Sequence, residues 1–204
     1  MSVRGFVQAG GGSTRFGTDK ALVELGGATM LQRTGELLAK VCDEVTVVAP
    51  AGKYANSPWP VLQDRWPGEG PLGGILTALA TLQSELVLHW ALILSCDMPF
   101  LTQEFLVELR ERALRSSALV VVPQQSTIGL EPLCACWNSR AADGVRAAFD
   151  SGVRKVTEAM KRLPMEVLDE SVWKRFDTRN RLFWNMNTPA DYEEVRRIVE
   201  APRR

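Results

Sequence analysis

VRGFVQAGGGSTRFGTDKALVEL, residues 3–25, decides the fold class. Residues 3–8 form a short apolar run that reads as a strand. Three glycines follow at once, Gly10, Gly11 and Gly12. With no Cβ in the way, the backbone after the strand can turn tightly and aim its N–H groups inward, a concavity suited to phosphate oxygens. Arg15 and Lys20 add cationic donors on the same loop. The spacing is not that of a Walker A loop, because Gly17 is followed by Thr18-Asp19-Lys20 and not by Lys-Ser/Thr. It is not a dinucleotide fingerprint either, since no helix opens directly on a GxGxxG. A flexible turn with incidental charges is the bland alternative.

Working outward, apolar runs alternate with helical patterns. Strands are expected at 44–49, 60–63, 90–95, 118–123, 132–137 and 165–168. Helices are expected at 30–41 with Thr29 as cap, at 71–82, at 102–115 and at 139–150. In the second helix Leu72, Ile75, Leu76, Leu79 and Leu82 fall on one face. A last helix starts at Thr188-Pro189-Ala190-Asp191, with Thr as cap, Pro at the first position and Asp returning a bond to the cap. This βαβα order predicts an α/β fold, a Rossmann-like three-layer αβα sandwich on a mostly parallel sheet. Ligands in such sheets bind beyond the carboxyl ends of the strands, where strand order reverses. That places a site at the loops after Gln8, Gln63 and Ser95.

The chain has 204 residues, 46% of them hydrophobic and 24% charged, which is ordinary globular composition. One domain over 1–204 is expected. Twenty-four basic residues balance 24 acidic ones, so a nucleic-acid partner is not expected. No apolar run approaches the roughly 20 residues of a membrane span. Four unevenly spaced Cys make no disulfide framework. Together these predict a soluble protein of a reducing compartment, hence cytoplasmic. Cys134 and Cys136, with a single His in the chain (His89), lack the partners of a structural zinc site and read as buried strand residues. No Gly-x-Ser-x-Gly elbow suggests a serine hydrolase.

Three further segments carry chemistry. Ser95-Cys96-Asp97-Met98-Pro99 puts a carboxylate at the end of the most apolar strand, a position suited to hold Mg²⁺. Asp64 ends another strand, and Gly68-Glu69-Gly70-Pro71 opens a helix whose N-terminus could face an anion. Asn185-Met186-Asn187 places two amides at alternate positions, which could orient a polar ligand or simply close turns. Lys174, Arg175, Arg179 and Arg181 form a loose basic cluster, either solvated or a landing site for an anionic second substrate.

Taken together, these segments resemble the molybdenum cofactor guanylyltransferase family, a branch of the sugar-nucleotide-type nucleotidyltransferases. The family pattern Leu-Ala-Gly-Gly-x-Ser-x-Arg-Met-Gly-x-Asp-Lys stands here as residues 8–20, departing at Gln8 and Phe16. Pro71-Leu72-Gly73-Gly74, Cys96-Asp97-Met98-Pro99, Glu131-Pro132-Leu133-Cys134-Ala135 and Asn187-Thr188-Pro189 match in order, over most of the chain. The resemblance implies a fold like that of nucleotide-diphospho-sugar transferases and GMP transfer from GTP to molybdenum-molybdopterin, with pyrophosphate released. It implies that Ala9, Gly10, Gly11 and Lys20 hold the nucleotide and that Asp64 contacts the nucleoside. Asp97 would bind Mg²⁺ and nucleotide, Arg15 the triphosphate, and Asn185 and Asn187 the pterin. Lys20, Asp97 and Arg15 would be the catalytic set. Implied partners are GTP, molybdenum-molybdopterin, other proteins of molybdenum cofactor biosynthesis, and apo-molybdoenzymes or their chaperones. Some members carry Asn-x-Asn after the second strand, touching guanine; here Val48-Ala49-Pro50 stands instead. A CTP-dependent cytidylyltransferase, a sugar-1-phosphate nucleotidyltransferase and a nucleotide-binding module without activity are the alternatives.

Overall fold

The computed structural model describes residues 2–10, 19–85 and 87–201. Gly11 and Arg15 lie outside the described residues. Elements follow in the order β1 (Ser2–Gln8), β2 (Glu24–Leu25), β3 (Ala28–Thr29), α1 (Met30–Ala39), β4 (Glu44–Ala49), β5 (Val61–Gln63) and α2 (Pro71–Gln83). Then come β6 (His89–Ser95), α3 (Gln103–Arg115), β7 (Val120–Gln125), β8 (Gly129–Leu130), β9 (Cys134–Asn138) and α4 (Ala142–Asp150). The chain ends with α5 (Val156–Met160), β10 (Met165–Leu168), α6 (Glu170–Trp173) and α7 (Pro189–Glu200).

The main sheet has the order β10-β7-β9-β6-β1-β4-β5, with β8 paired to β7. β1 runs parallel to both β4 and β6, β4 parallel to β5, and β7 parallel to β10. β9 alone on this path runs the other way, antiparallel to β6 and β7. The sheet is mostly parallel, as the alternation predicts.

Side-chain alternation splits the core into two layers. On β6, Trp90, Leu92 and Leu94 enter one cluster with α1, α3 and α7. Ala91 and Ile93 enter the other, with α2, α4 and α5. Val3 and Val7 of β1 point to the first, Phe6 to the second. A strand covered on both faces must be apolar throughout, and β6 is buried along its whole length. The fold is a mixed α/β sandwich, helices on each face of the sheet.

Both foreseen caps form. The Thr29 and Thr188 side chains accept from the Gln32 and Asp191 N–H groups, and each closes a capping box. Several boundaries shift. α1 ends at Ala39 rather than 41, because the backbone tightens there. The segment expected as a helix from 139 begins as a 3-10 turn over Ser139–Ala141 capped by Asn138. The β2–β3 hairpin, β8, α5 and α6 are too short to show a period and were not expected from sequence. Cys134 and Cys136 are buried strand residues.

Candidate nucleotide-binding site

Strand order reverses beside β1: β4 and β5 extend to one side and β6 lies on the other. The carboxyl ends of β1, β4, β5 and β6 therefore open on one crevice. A cavity of about 390 Å³ lies there. Gln8, Ala9, Gly10, Lys20, Asp64 and Asp97 all line it. Six of the residues expected from sequence, or flanking them, thus meet in one place, although up to 89 positions separate them in the chain.

Gly10 sits at φ +90°, a left-handed conformation that costs a side-chain-bearing residue energy. A Cβ there would also lie 2.4 Å from Pro50 Cδ. Glycine is required twice, by conformation and by the close approach of the β4 loop. Ala9 N–H is committed to the Val48 carbonyl at 3.0 Å. Of the two described residues of the glycine run's start, Gly10 keeps its N–H free for a ligand.

Lys20 opens a 3-10 turn, Lys20–Leu22, capped by Asp19. Its Nζ lies 2.8 Å from Asn187 Oδ1 and 3.7 Å from Asp97 Oδ2. Ser95 Oγ bonds Asp97 Oδ1 at 2.5 Å, and the Asp97 carbonyl accepts the Met186 N–H at 2.8 Å. Met186 is buried and anchors its segment. Asn187 is thereby brought to Lys20. Asn185 is not: its amide donates to the Phe183 carbonyl at 3.4 Å, and neither asparagine is among the residues that line the cavity. Met186 between them is buried, and the two amides find different partners, Asn187 the Lys20 ammonium and Asn185 the Phe183 carbonyl.

Asp64 Oδ1 accepts the Thr77 hydroxyl and the Trp66 N–H, both at 3.0 Å. These bonds tie the end of β5 to α2. The start of α2 faces the cavity through Gly68, Gly70 and Pro71.

Sequence reasoning gave Asp19 no role. Its carboxylate accepts from Lys53 Nζ at 2.8 Å and from Tyr54 OH at 2.9 and 3.0 Å. Burial raises its pKa, but the bonds from Lys53, Tyr54 and the Ala21 N–H outweigh this and hold it below the ordinary value. Asp19 thus fixes the turn that aims Lys20. An Asp directly before a helical turn was the available signal; its partners 34 and 35 residues away carried none.

Glu131 was also missed. It is buried, bonded to Gln125 Nε2, and close enough to Asp97 to feel its charge. Burial pushes its carboxyl up, the Gln125 bond opposes this, and the Asp97 charge adds to it. Cys96 is fully buried; burial and then the Asp97 and Asp19 charges push its thiol far up, so it is not a nucleophile. In the basic cluster Arg175 pairs with Glu108 at 2.7 Å, while Arg179 and Arg181 line a separate cavity of about 150 Å³.

Among the described residues no group of three or more His, Cys, Asp or Glu could hold a metal alone. That donor set still fits a cation bound with nucleotide, because Mg²⁺ takes one or two carboxylates plus substrate phosphates and waters. Asp97 and Asp64 are strand-end carboxylates that line the cavity.

A glycine turn, a lysine and a strand-end carboxylate converging on one cavity at the switch point define a nucleotidyltransferase domain. A family model for the MobA-like NTP transferase domain matches residues 5–164. A relative from Chloroflexus aggregans named probable molybdenum cofactor guanylyltransferase is 32% identical over 199 residues, 96% of this chain and 94% of that one. The molybdenum cofactor guanylyltransferase of Desulfosudis oleivorans is 30% identical over 204 residues, 99% and 98% of the two chains. Molybdopterin-guanine dinucleotide biosynthesis protein A from Archaeoglobus fulgidus superposes with a TM-score of 0.81 at 25% identity, covering 96% of this chain and 97% of that one. The chain belongs to this family, the molybdenum cofactor guanylyltransferases. No helix of the described residues is long and apolar enough to cross a membrane.

Proposed function

We propose that this chain, acting as one domain, transfers GMP from GTP to the phosphate of molybdenum-molybdopterin and releases pyrophosphate. The observation that carries the reading is Lys20 and Asp97 facing each other across the end of the cavity that the glycine turn and Asp64 also line. The chemistry suits this inventory. The pterin's own phosphate oxygen attacks the α-phosphorus of GTP, and the bond from that phosphorus to the pyrophosphate oxygen breaks. No protein nucleophile is needed, which agrees with the buried Cys96 thiol, held in its protonated form beside the cavity. What the protein must do is align two anions and offset their charge.

In this reading Asp64 contacts the nucleoside, and the Ala9–Gly10 backbone holds the nucleotide. Lys20, joined by Gly11 and Arg15 of the same loop, neutralises the triphosphate and the departing pyrophosphate. Asp97 holds Mg²⁺, with Ser95 fixing the carboxylate. Bound there, Mg²⁺ supplies a template and a Lewis acid for the phosphates. Asn187 orients the pterin beside Lys20. Asn185 has a weaker claim, since its amide faces Phe183. The protein would work in the cytoplasm, handing its product to apo-molybdoenzymes or their chaperones.

The test is a transfer assay with molybdenum-molybdopterin, Mg²⁺ and either GTP or CTP, following pyrophosphate and the dinucleotide. GTP-selective turnover is expected. Turnover selective for CTP would keep the mechanism and overturn the guanylyl assignment.

A further inference from the structure

We infer that Gln8 reads the nucleobase, its side-chain carbonyl accepting from the N1–H and N2 amine edge of guanine. This rests on the GTP reading above and adds a specificity-determining residue to it.

Gln8 ends β1, and its side chain crosses to the start of α2. Nε2 donates to the Pro71 carbonyl at 2.7 Å. That bond fixes which end of the carboxamide is which, because the reverse orientation would set two oxygens against each other. Oε1 is then the free end. It is buried and has no partner among the described residues. Buried polar atoms in native proteins are almost all paired. An unpaired acceptor on a residue that lines the ligand cavity is completed by a donor on the ligand.

The surroundings are shaped for this role. Gly74, in α2, also lines the cavity. A Cβ there would lie 2.6 Å from Gln8 Nε2 and 3.0 Å from its Cδ, so the helix omits a side chain where the carboxamide lies. Val48 and Pro50 line the cavity from the β4 end and offer apolar area with no hydrogen-bonding side chain. Ser95 is engaged with Asp97, and Asp19 with Lys53 and Tyr54. Among the described lining residues Gln8 Oε1 is thus the uncommitted neutral side-chain acceptor. Guanine carries two adjacent donors on one edge, whereas cytosine presents a single amine donor there. Oε1 is buried as it stands, so it meets such an edge only when the terminal torsion turns on ligand binding. Two of the three departures from the family pattern, at Gln8 and at Val48-Ala49-Pro50, meet in this cavity through Gln8, Val48 and Pro50 and are explained together: the polar contact has moved from the β4 loop to the end of β1.

The experiment is calorimetric titration of wild type, Gln8→Leu and Gln8→Met with Mg·GTP, Mg·CTP and inorganic triphosphate, with thermal melts alongside. Wild type is expected to prefer GTP. Both variants should lose about tenfold in GTP affinity, the scale of one hydrogen bond to a buried group. Binding of inorganic triphosphate should not change. The methionine variant, equal in length, decides the matter if the leucine variant melts early. A folded variant that keeps wild-type GTP affinity and preference overturns this inference and leaves the GTP reading standing. A wild type that binds CTP tighter than GTP overturns the GTP reading, and this inference with it.

Discussion

At the scale of single residues, the site depends on charges held in place by neighbours that were themselves hard to see in the sequence. Lys20 stands between Asn187 and Asp97 because Asp19 caps its turn and Lys53 and Tyr54 hold Asp19. Lys20→Ala should weaken GTP binding by about 10- to 100-fold, the range for a hydrogen bond from a charged donor, measured by titration. An unchanged titration would remove Lys20 from the site. Glu131 gives a pH signature. Its folded pKa is raised, so its native contribution is fully present below the ordinary value of 4.5 and is lost as pH rises through the raised value. Glu131→Gln should therefore gain melting temperature relative to wild type as pH goes from about 4 to 7. A difference that stays constant with pH would contradict the raised pKa of this carboxyl. That Lys20, Asp64 and Asp97 line one cavity was legible, because strand ends and glycine turns mark the mouth of such a sheet. The contacts of Asp19, Gln8 and Glu131 were not, because their partners carry no signal in the local sequence.

At the scale of elements, local signals were readable wherever they were repeated. The α2 stripe, the apolar β6 and the two Thr caps each carry several agreeing residues, and each forms as expected. Two-residue strands and helices of four or five residues have no period to read, and their existence depends on tertiary contacts. β9 is instructive. Cys134-Ala-Cys-Trp-Asn reads as a buried strand, but nothing in it says that it will insert between β6 and β7 in the opposite direction. That choice is made by strand pairing and not by propensity. α2 shows an element serving the site. Alanine in place of a helical glycine usually adds up to about 1 kcal/mol. Here Gly74→Ala would press on the Gln8 carboxamide. We expect GTP affinity to fall about tenfold with little change in melting temperature. Wild-type affinity in this variant would show that the space at Gly74 has no part in binding.

At the scale of the whole molecule, the C-terminal part closes on Lys20 and Asp97 from the far end of the chain. Met186 N–H meets the Asp97 carbonyl, Asn187 meets Lys20 across 167 positions, and Tyr192 OH meets the Glu24 carbonyl across 168. The lining residues all fall within 8–133, so this docking holds Lys20 and Asp97 in place and adds no wall to the cavity. Asn187→Ala tests this closure: turnover should fall about tenfold while GTP affinity without pterin stays nearly constant. Equal losses in both would place Asn187 with the nucleotide instead. The class of fold followed from the alternation of strands and helices, and the position of the site from the strand-end rule. The contact of Asn187 with Lys20 did not, because it joins segments 167 positions apart. The most direct test of the account is pyrophosphate release from GTP and molybdenum-molybdopterin by wild type and by Asp97→Asn, a change that keeps shape and removes charge. The account predicts GTP-dependent release by wild type and a loss of at least about 10²- to 10³-fold in the folded variant. Undiminished release by Asp97→Asn at saturating Mg²⁺ would contradict it.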